Sequence, residues 1–231
     1  MKKVLLVLVL LILPVIVNAT SYKAEDLTID ISDDWMVFTR DNLENNENLA
    51  KLGVSEATLK AQMNTYGMYV DAISTFDSVN YVEMFIFVKD TKEETMNLHK
   101  YKDADALKVG EELYSNYKST RLDLYKTKRL TYIVCEYTDK VNGNTLYLID
   151  YYTVINGKGY TIKVQSPGSF DDNAKKNIEK MIISASFKLN KHYEKSPYKN
   201  KFIYIIICGV VGGALGAVTS VLKNKKKKMG V

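Results

Sequence analysis

An uncharged stretch near the carboxyl end most constrains what this chain of 231 residues can become. Residues 202–222 have the sequence FIYIIICGVVGGALGAVTSVL. As an α-helix rising about 1.5 Å per residue, the stretch would span roughly 30 Å, the thickness of a bilayer's hydrocarbon core. A lysine cluster follows it, made up of Lys223, Lys225, Lys226, Lys227 and Lys228. Because basic residues beside a span favour the cytoplasmic side, we predict a transmembrane helix over 202–222 and a cytoplasmic tail over 223–231.

The amino terminus has the pattern of a secretory signal peptide. Lys2 and Lys3 precede an apolar run over residues 4–17, and the small residue Ala19 marks a cleavage site. We predict a signal peptide over 1–19, an external domain over 20–189 and a polar stalk over 190–201. The alternative is an uncleaved first helix with both chain ends inside the cell. The apolar run is shorter than the roughly 20 residues that a span needs, which favours cleavage and a single-pass protein of the plasma membrane.

The charge of the external part argues against a nucleic-acid function. Of the 32 lysines and arginines, eight lie at the two chain ends, so 24 remain over residues 20–200 against all 27 acids, a net charge of −3. A nucleic-acid-binding domain needs a basic surface instead. Cys135 lies in the domain and Cys208 in the predicted anchor, so no disulfide framework is available. An external domain without disulfides, rich in Asn, Lys, Tyr and Ile, favours a Gram-positive bacterial surface.

The hydrophobic pattern predicts an α+β domain in which helices flank an antiparallel β-sheet. Asn142-Gly143 and Asn156-Gly157 supply the positive φ angles of tight hairpins, so they join three successive strands. The predicted strands cover 27–31, 35–39, 68–74, 81–88, 132–137, 146–154, 160–164 and 185–189. Three main helices are predicted. One begins after Ser55, and the other two cover 103–119 and 169–183.

This order of elements resembles the PsbP-like superfamily, which is named after an extrinsic subunit of photosystem II. The resemblance rests on the leading strand, the acidic turn into Trp35, the hairpins that end at residues 157–160, and the closing helix that runs into residues 185–187. It covers about residues 27–189 and implies a sandwich fold. It also implies a binding or assembly-supporting domain, not an enzyme. No metal or partner site of the superfamily can be carried over residue by residue.

The residues that could carry chemistry are few, and simple structural roles account for them. His99 and His192 lie outside any nucleophile or metal motif, which indicates surface histidines. Cys135 lies in the apolar run YIVCEY, which indicates a buried, inert thiol. The pairs Asp33-Asp34 and Asp171-Asp172 could share a cation, but they lack calcium-loop spacing, and turn formation and helix capping explain them. We therefore predict no catalytic residue, no cofactor and no metal.

Three groups of residues are candidates for interactions. Small residues four apart in the predicted anchor would let helices pack closely, either in a homodimer or against another membrane protein; they are Gly209, Gly212, Gly213, Gly216 and Ala217. The lysine cluster over 223–228 could hold anionic lipid head groups, although its role in topology is sufficient to explain it. Tyr147, Tyr151, Tyr152 and Tyr160 could line a partner surface, or they could be ordinary sheet residues.

Three functions remain compatible with the sequence. The first is a membrane-anchored surface protein whose domain binds or supports another envelope component without catalysis. The second is an enzyme at the membrane surface that uses acids such as Asp33, Asp34 or Glu83. The third is a small signalling adaptor that acts through its glycine-rich helix. An enzyme requires a concave pocket with convergent polar groups, whereas an adaptor would fail if its anchor were replaced by polyleucine.

Overall fold

The computed structural model describes residues 18–74, 81–91, 95–141 and 143–197. Most of the predicted signal peptide, the predicted transmembrane helix, its glycines and the lysine cluster lie outside these residues. Among the helices within them, none combines the length and the apolar character needed to cross a bilayer.

Two antiparallel sheets and four α-helices build the described part of the domain. The strands are β1 (Ala19–Ala24), β2 (Leu27–Ser32), β3 (Met36–Thr39), β4 (Met68–Ile73), β5 (Glu83–Asp90), β6 (Ser119–Lys126), β7 (Thr131–Val141), β8 (Asn144–Ile155), β9 (Lys158–Ser166) and β10 (Ser186–Phe187). The helices are α1 (Glu47–Leu52), α2 (Glu56–Tyr66), α3 (Asp103–Leu113) and α4 (Asp172–Ser184), with a 3-10 turn at Leu98–Lys100. The large sheet has the order β3-β4-β5-β9-β8-β7-β6 and the small one β1-β2-β10. The predicted α+β class, with helices flanking antiparallel strands, is confirmed.

The large sheet separates two layers of core. One face packs against the small sheet and α4, with Ile29 of β2 and Ile178 and Ile182 of α4 fully or almost fully buried. The opposite face is covered by α2, through Leu59 and Met63, and by α3. Each strand of the large sheet therefore sends alternate side chains into different cores.

The predicted hairpins and caps explain how these elements begin and end. Asn156 and Gly157 have φ angles of 53° and 74°, which is the left-handed pair that a two-residue β8–β9 turn requires. Asp171 caps α4, since its Oδ1 accepts a hydrogen bond of 2.7 Å from the amide of Ala174. The predicted hairpin at this turn and the capping role of Asp171 are both confirmed.

Two strands were not predicted, and one helix is shorter than expected. No strand was predicted before residue 27, yet β1 pairs with β2 from Ala19 onward. The helix predicted over 103–119 ends at Leu113 because Tyr114 and Tyr117 turn onto the sheet, where their rings lie 6.4 and 4.7 Å from that of Tyr137. The chain then forms β6, the edge strand of the large sheet.

Helix α3 lies close to the sheet at Gly110, which gives a first prediction. A Cβ at this position would lie 2.8 Å from Cγ2 of Ile133 and 3.2 Å from Cδ1 of Leu122. Gly110→Ala should therefore lower the free energy of unfolding by about 1–3 kcal/mol, although alanine alone would favour the helix by up to about 1 kcal/mol. Denaturant unfolding would measure the change. Gly168→Ala is the control, since no atom lies within 4 Å of its Cβ position. A stabilised Gly110→Ala variant would contradict the close packing.

Three turns between strands and the last described segment of the chain lie at one end of the domain. We call it the exit end: the β1–β2 turn at residues 25–26, the β6–β7 turn at 127–130, the β8–β9 turn at 156–157, and the segment 188–197. Hydrogen bonds join the β1–β2 turn, the β8–β9 turn and the segment 188–197, including one of 3.2 Å from the amide of Lys188 to the carbonyl of Asp26. The far end, at the other end of the strands, carries the β7–β8 hairpin tip and the start of α4.

Candidate functional site

A row of buried polar side chains crosses the face of the large sheet that α2 and α3 cover. We call it the polar row: Asp71, Glu83, Gln165, Lys163, Asp150 and Tyr137. Each is at most 3% exposed. The register explains their proximity, since Glu83 of β5 lies opposite Gln165 of β9, and Lys163 of β9 lies opposite Asp150 of β8. Opposite residues of an antiparallel pair project to the same face.

An ion pair forms one end of the polar row. Lys163 Nζ lies 3.2 Å from Asp150 Oδ2 and also donates a hydrogen bond to the hydroxyl of Tyr137. The hydroxyls of Tyr137 and Tyr114 donate to the same Oδ2, at 3.2 and 3.4 Å. Burial raises the pKa of Asp150, whereas Lys163 and these hydrogen bonds oppose that rise. The contacts supply partners that such a buried charge pair requires.

Two carboxyl groups form the other end. Gln165 donates its amide to Glu83 Oε2, and Asp71 lies beside Glu83 on the neighbouring strand. Burial raises the pKa of Asp71 to about 7. Burial, together with the charge of Asp71, raises the pKa of Glu83 well above its usual value. Two buried carboxyls that face each other cannot both ionise readily, so they hold a proton between them near neutral pH.

The burial of the row determines what it can do chemically. Glu83, which we considered as an enzymatic acid, is fully buried, so it could meet a substrate only if the domain opened. Asp33 and Asp34 are exposed on the β2–β3 turn, where Asp33 accepts a hydrogen bond of 2.7 Å from Thr20. Among the described residues, no cluster of three or more His, Cys, Asp or Glu side chains is arranged to hold a metal ion.

The structure agrees with the prediction for Cys135 and disagrees with the one for His99. Cys135 is buried, and burial raises the pKa of its thiol to about 12, which confirms an inert thiol. His99 is not the solvated surface residue that we predicted. Its side chain is only 15% exposed, and Nε2 lies 2.9 Å from the carboxylate of Glu194.

The predicted tyrosine surface is wrong for three of its four members. Tyr151, Tyr152 and Tyr160 are 7%, 4% and 0% exposed, because β8 and β9 are central strands covered on both faces. Only Tyr147, at 39%, is exposed among these four. The three buried tyrosines are ordinary sheet residues, which was the alternative.

The clearest assembly of polar contacts outside the sheet holds the carboxyl-terminal segment to the domain. We call it the exit clamp: Asn97, Asn156, His99, Lys100 and Glu194. Asn156 donates to Asp26 Oδ2 at 2.8 Å and to the carbonyl of Lys188 at 2.7 Å, and its Oδ1 accepts from the amide of Asn190 at 2.9 Å. A single side chain in the β8–β9 turn therefore joins the β1–β2 turn to the exit segment.

Asn97 and Glu194 complete the clamp. Asn97 is fully buried, and its side-chain Oδ1 accepts a hydrogen bond of 2.7 Å from the backbone N–H of Asn156. The backbone N–H of Asn97 donates to the carbonyl of Tyr193 at 3.1 Å. Partial burial opposes ionisation of Glu194, but hydrogen bonds from Lys100, Asn97 and His99 outweigh it and lower the pKa to about 2. Residues 190–194 are therefore fixed on the domain, which corrects our prediction of a stalk beginning at residue 190.

The clamp gives a second prediction. Asn156→Gly keeps the positive φ angle of the turn but removes every hydrogen bond that the Asn156 side chain makes. Amide hydrogen exchange of residues 188–194 should accelerate at least tenfold, while exchange in β7 should be unchanged. Asn190→Ala is the comparison, because it leaves the Asn156 side chain in place and should accelerate exchange chiefly at the amide of His192, which donates to Asn190 Oδ1. Unchanged exchange in Asn156→Gly would show that Glu194 and the bond from Asn97 to Tyr193 are enough to hold the segment.

Sequence reasoning missed both the polar row and the clamp. The row had a signal, because Glu83, Asp150 and Lys163 each interrupt an apolar run that otherwise predicts a central strand. The clamp had none, since Asn156 was recognised only as a turn residue, and its partners lie far away in the sequence.

Comparison with known proteins finds likenesses of structure only. No family model and no curated protein matches the chain. It is similar to cyanobacterial PsbP (CyanoP) from Synechocystis, at 10% identity and a TM-score of 0.46 over 75% of this chain and 94% of that one. A Bacteroides thetaiotaomicron protein has 10% identity and a TM-score of 0.42 over 74% and 48% of the two chains. LpqN, described as involved in cell envelope biogenesis of Mycobacterium tuberculosis, has 11% identity and a TM-score of 0.36 over 72% and 87%. All three are likenesses of fold at 10–11% identity and TM-scores of 0.36 to 0.46.

Proposed function

We propose that this chain is a membrane-anchored surface protein whose α+β domain binds or supports another component of the cell envelope. The exit clamp is the observation that carries the proposal. It fixes residues 190–194 on the domain only a few residues before the uncharged stretch 202–222. A domain that is fastened so close to its anchor is presented in a restricted orientation, which suits contact with a neighbouring envelope molecule.

The chemistry of the described residues supports binding over catalysis. The titratable side chains of the polar row lie inside the core and contact one another, and Cys135 is an inert thiol. His99 and Glu194, the other half-buried acid–base pair, hold the exit segment to the domain. The acids among these groups have burial and structural partners that explain their shifted pKa values without a substrate.

Cross-linking of the full-length chain in intact cells tests the proposal. The native protein should be accessible to protease added outside and should cross-link to one envelope protein. A variant with leucine at Gly209, Gly212, Gly213 and Gly216 separates the possible contact sites. If capture persists in this variant, the displayed domain meets the partner. Capture that is lost with leucine would favour the adaptor hypothesis, and a domain protected from external protease would overturn the proposed topology.

A further inference from the structure

The exit end of the domain carries an excess of basic side chains around the point where the chain leaves. Exposed bases lie on three separate parts of this end; they are Lys23, Lys128, Arg129, Lys188, Lys191 and Lys195. The fold brings them together, because the β1–β2 and β6–β7 turns and the exit segment meet at the same end of the strands. Residues 20–200 as a whole carry a net charge of −3, so a local excess of basic side chains at this end runs against the charge of the domain.

Several acids of the exit end already have basic partners, so they do not cancel these six charges. Lys158 Nζ lies 2.8 Å from Glu25, Lys126 Nζ lies 2.6 Å from Asp103, and Lys100 Nζ lies 2.8 Å from Glu194. Asp26, Asp90 and Asp105 also lie at this end, and Asp26 accepts a hydrogen bond from Asn156. Set against the six exposed basic side chains, these three acids still leave the surface around the exit segment with more positive than negative charge.

We infer that the exit end lies against the membrane and binds anionic lipid head groups; this inference rests on the proposed anchor at 202–222. Phe202 is five residues beyond Pro197, so at most about 17 Å of chain separates them. The head-group layer is roughly 5–8 Å thick on each side of the hydrocarbon core. The exit end thus cannot stand more than about 10 Å above the head groups, a distance close to the Debye length of about 8 Å.

Exposed apolar surface at the same place fits a lipid interface better than a soluble polyanion. Leu189 is 40% exposed and lies between Lys188 and Lys191 on the exit segment. Tyr193 follows, with its ring against Gly157, where an added Cβ would lie 3.0 Å from Tyr193 Cε1. Basic side chains beside an exposed leucine and an aromatic ring are typical of surfaces that lie in the head-group region.

Lysine acylation in nanodiscs tests this inference on the full-length chain. The discs contain phosphatidylcholine alone or together with phosphatidylglycerol, and a water-soluble reagent reports each lysine by mass spectrometry. We expect Lys128, Lys188 and Lys191 to react about fivefold more slowly in anionic discs, the factor that corresponds to about 1 kcal/mol per basic residue at such a surface. High salt should abolish the difference. Lys140, Lys175 and Lys176, which are exposed at the far end, should react equally in both discs.

Charge reversal provides the matched variants. With glutamate at Lys128, Lys188 and Lys191, the protection of Lys23 and Lys195 in anionic discs should disappear. Glutamate at Lys140, Lys175 and Lys176 should leave it intact. Equal acylation of the native exit-end lysines in both discs would overturn the inference while the anchor stands. Failure of the chain to enter discs through residues 202–222 would instead overturn the proposed function, on which the inference rests.

Discussion

Lys163→Met should lower the free energy of unfolding by about 3–5 kcal/mol, the largest loss that we expect from any single exchange in this domain. Removal of the ammonium group leaves the fully buried carboxylate of Asp150 without its charged partner, 3.2 Å away in the native protein. The hydroxyl of Tyr137 loses the lysine that donates to it. Denaturant unfolding of the full-length protein in detergent, followed by near-ultraviolet circular dichroism, would measure the loss.

A second exchange separates the cost of an orphaned charge from simple loss of packing. Asp150→Leu added to Lys163→Met removes both charges, so the double variant should recover part of the lost stability; the rest stays lost because the hydroxyls of Tyr114 and Tyr137 no longer have their acceptor. Lys140→Met, at an exposed position of β7, should change stability by no more than about 0.5 kcal/mol. A double variant that is less stable than Lys163→Met alone would show that Asp150 serves the fold without its lysine.

The second large effect concerns pH. The pKa of Asp71 rises from 3.8 to about 7 in the folded protein, so the folded state binds more protons than the unfolded chain between these values. Stability must therefore fall as the pH rises through this window, by up to about 1.4 kcal/mol per pH unit for each such group. Glu83 acts in the same direction. Unfolding midpoints measured between pH 4 and pH 8 would give the slope, which is opposite to that of an ordinary salt-bridged carboxylate.

Glu83→Gln is the variant that isolates this effect. Glutamine keeps a side chain of similar shape and a hydrogen-bond donor beside Asp71, but it cannot ionise. The decline in stability with pH should become shallower, while Glu111→Gln, at an exposed position on α3, should leave it unchanged. A slope as steep in Glu83→Gln as in the native protein would place the titration elsewhere.

Local chemistry explains which parts of the fold could be predicted. The strands β7, β8 and β9 followed from apolar runs and two Asn-Gly dipeptides, whose backbone preference is a property of the residues themselves. α4 followed from its buried stripe and from Asp171. β1 and β6 could not be predicted in this way, because both are edge strands with largely exposed side chains, so their apolar pattern is weak.

The candidate sites depended on long-range geometry to a greater extent. Asp150 and Lys163 are visibly out of place in apolar strands, yet only the register shows that they lie opposite each other. The three buried tyrosines were misjudged for the same reason, since strand order decides whether a face meets solvent or a second layer. Asn97 and Asn156 are 59 positions apart, and no local pattern links them.

The exit clamp also determines how the domain would respond to force. β10 pairs with β2 through only two residues, so tension applied directly to it would peel it away one hydrogen bond after another. The clamp lies between β10 and the proposed anchor in the chain, and its bonds reach the β1–β2 turn, the β8–β9 turn and the connection before α3. A pull from the anchor would load these three attachments together before it reached β10. Tension on the carboxyl-terminal segment would thus be carried by the clamp before it reached the smallest strand.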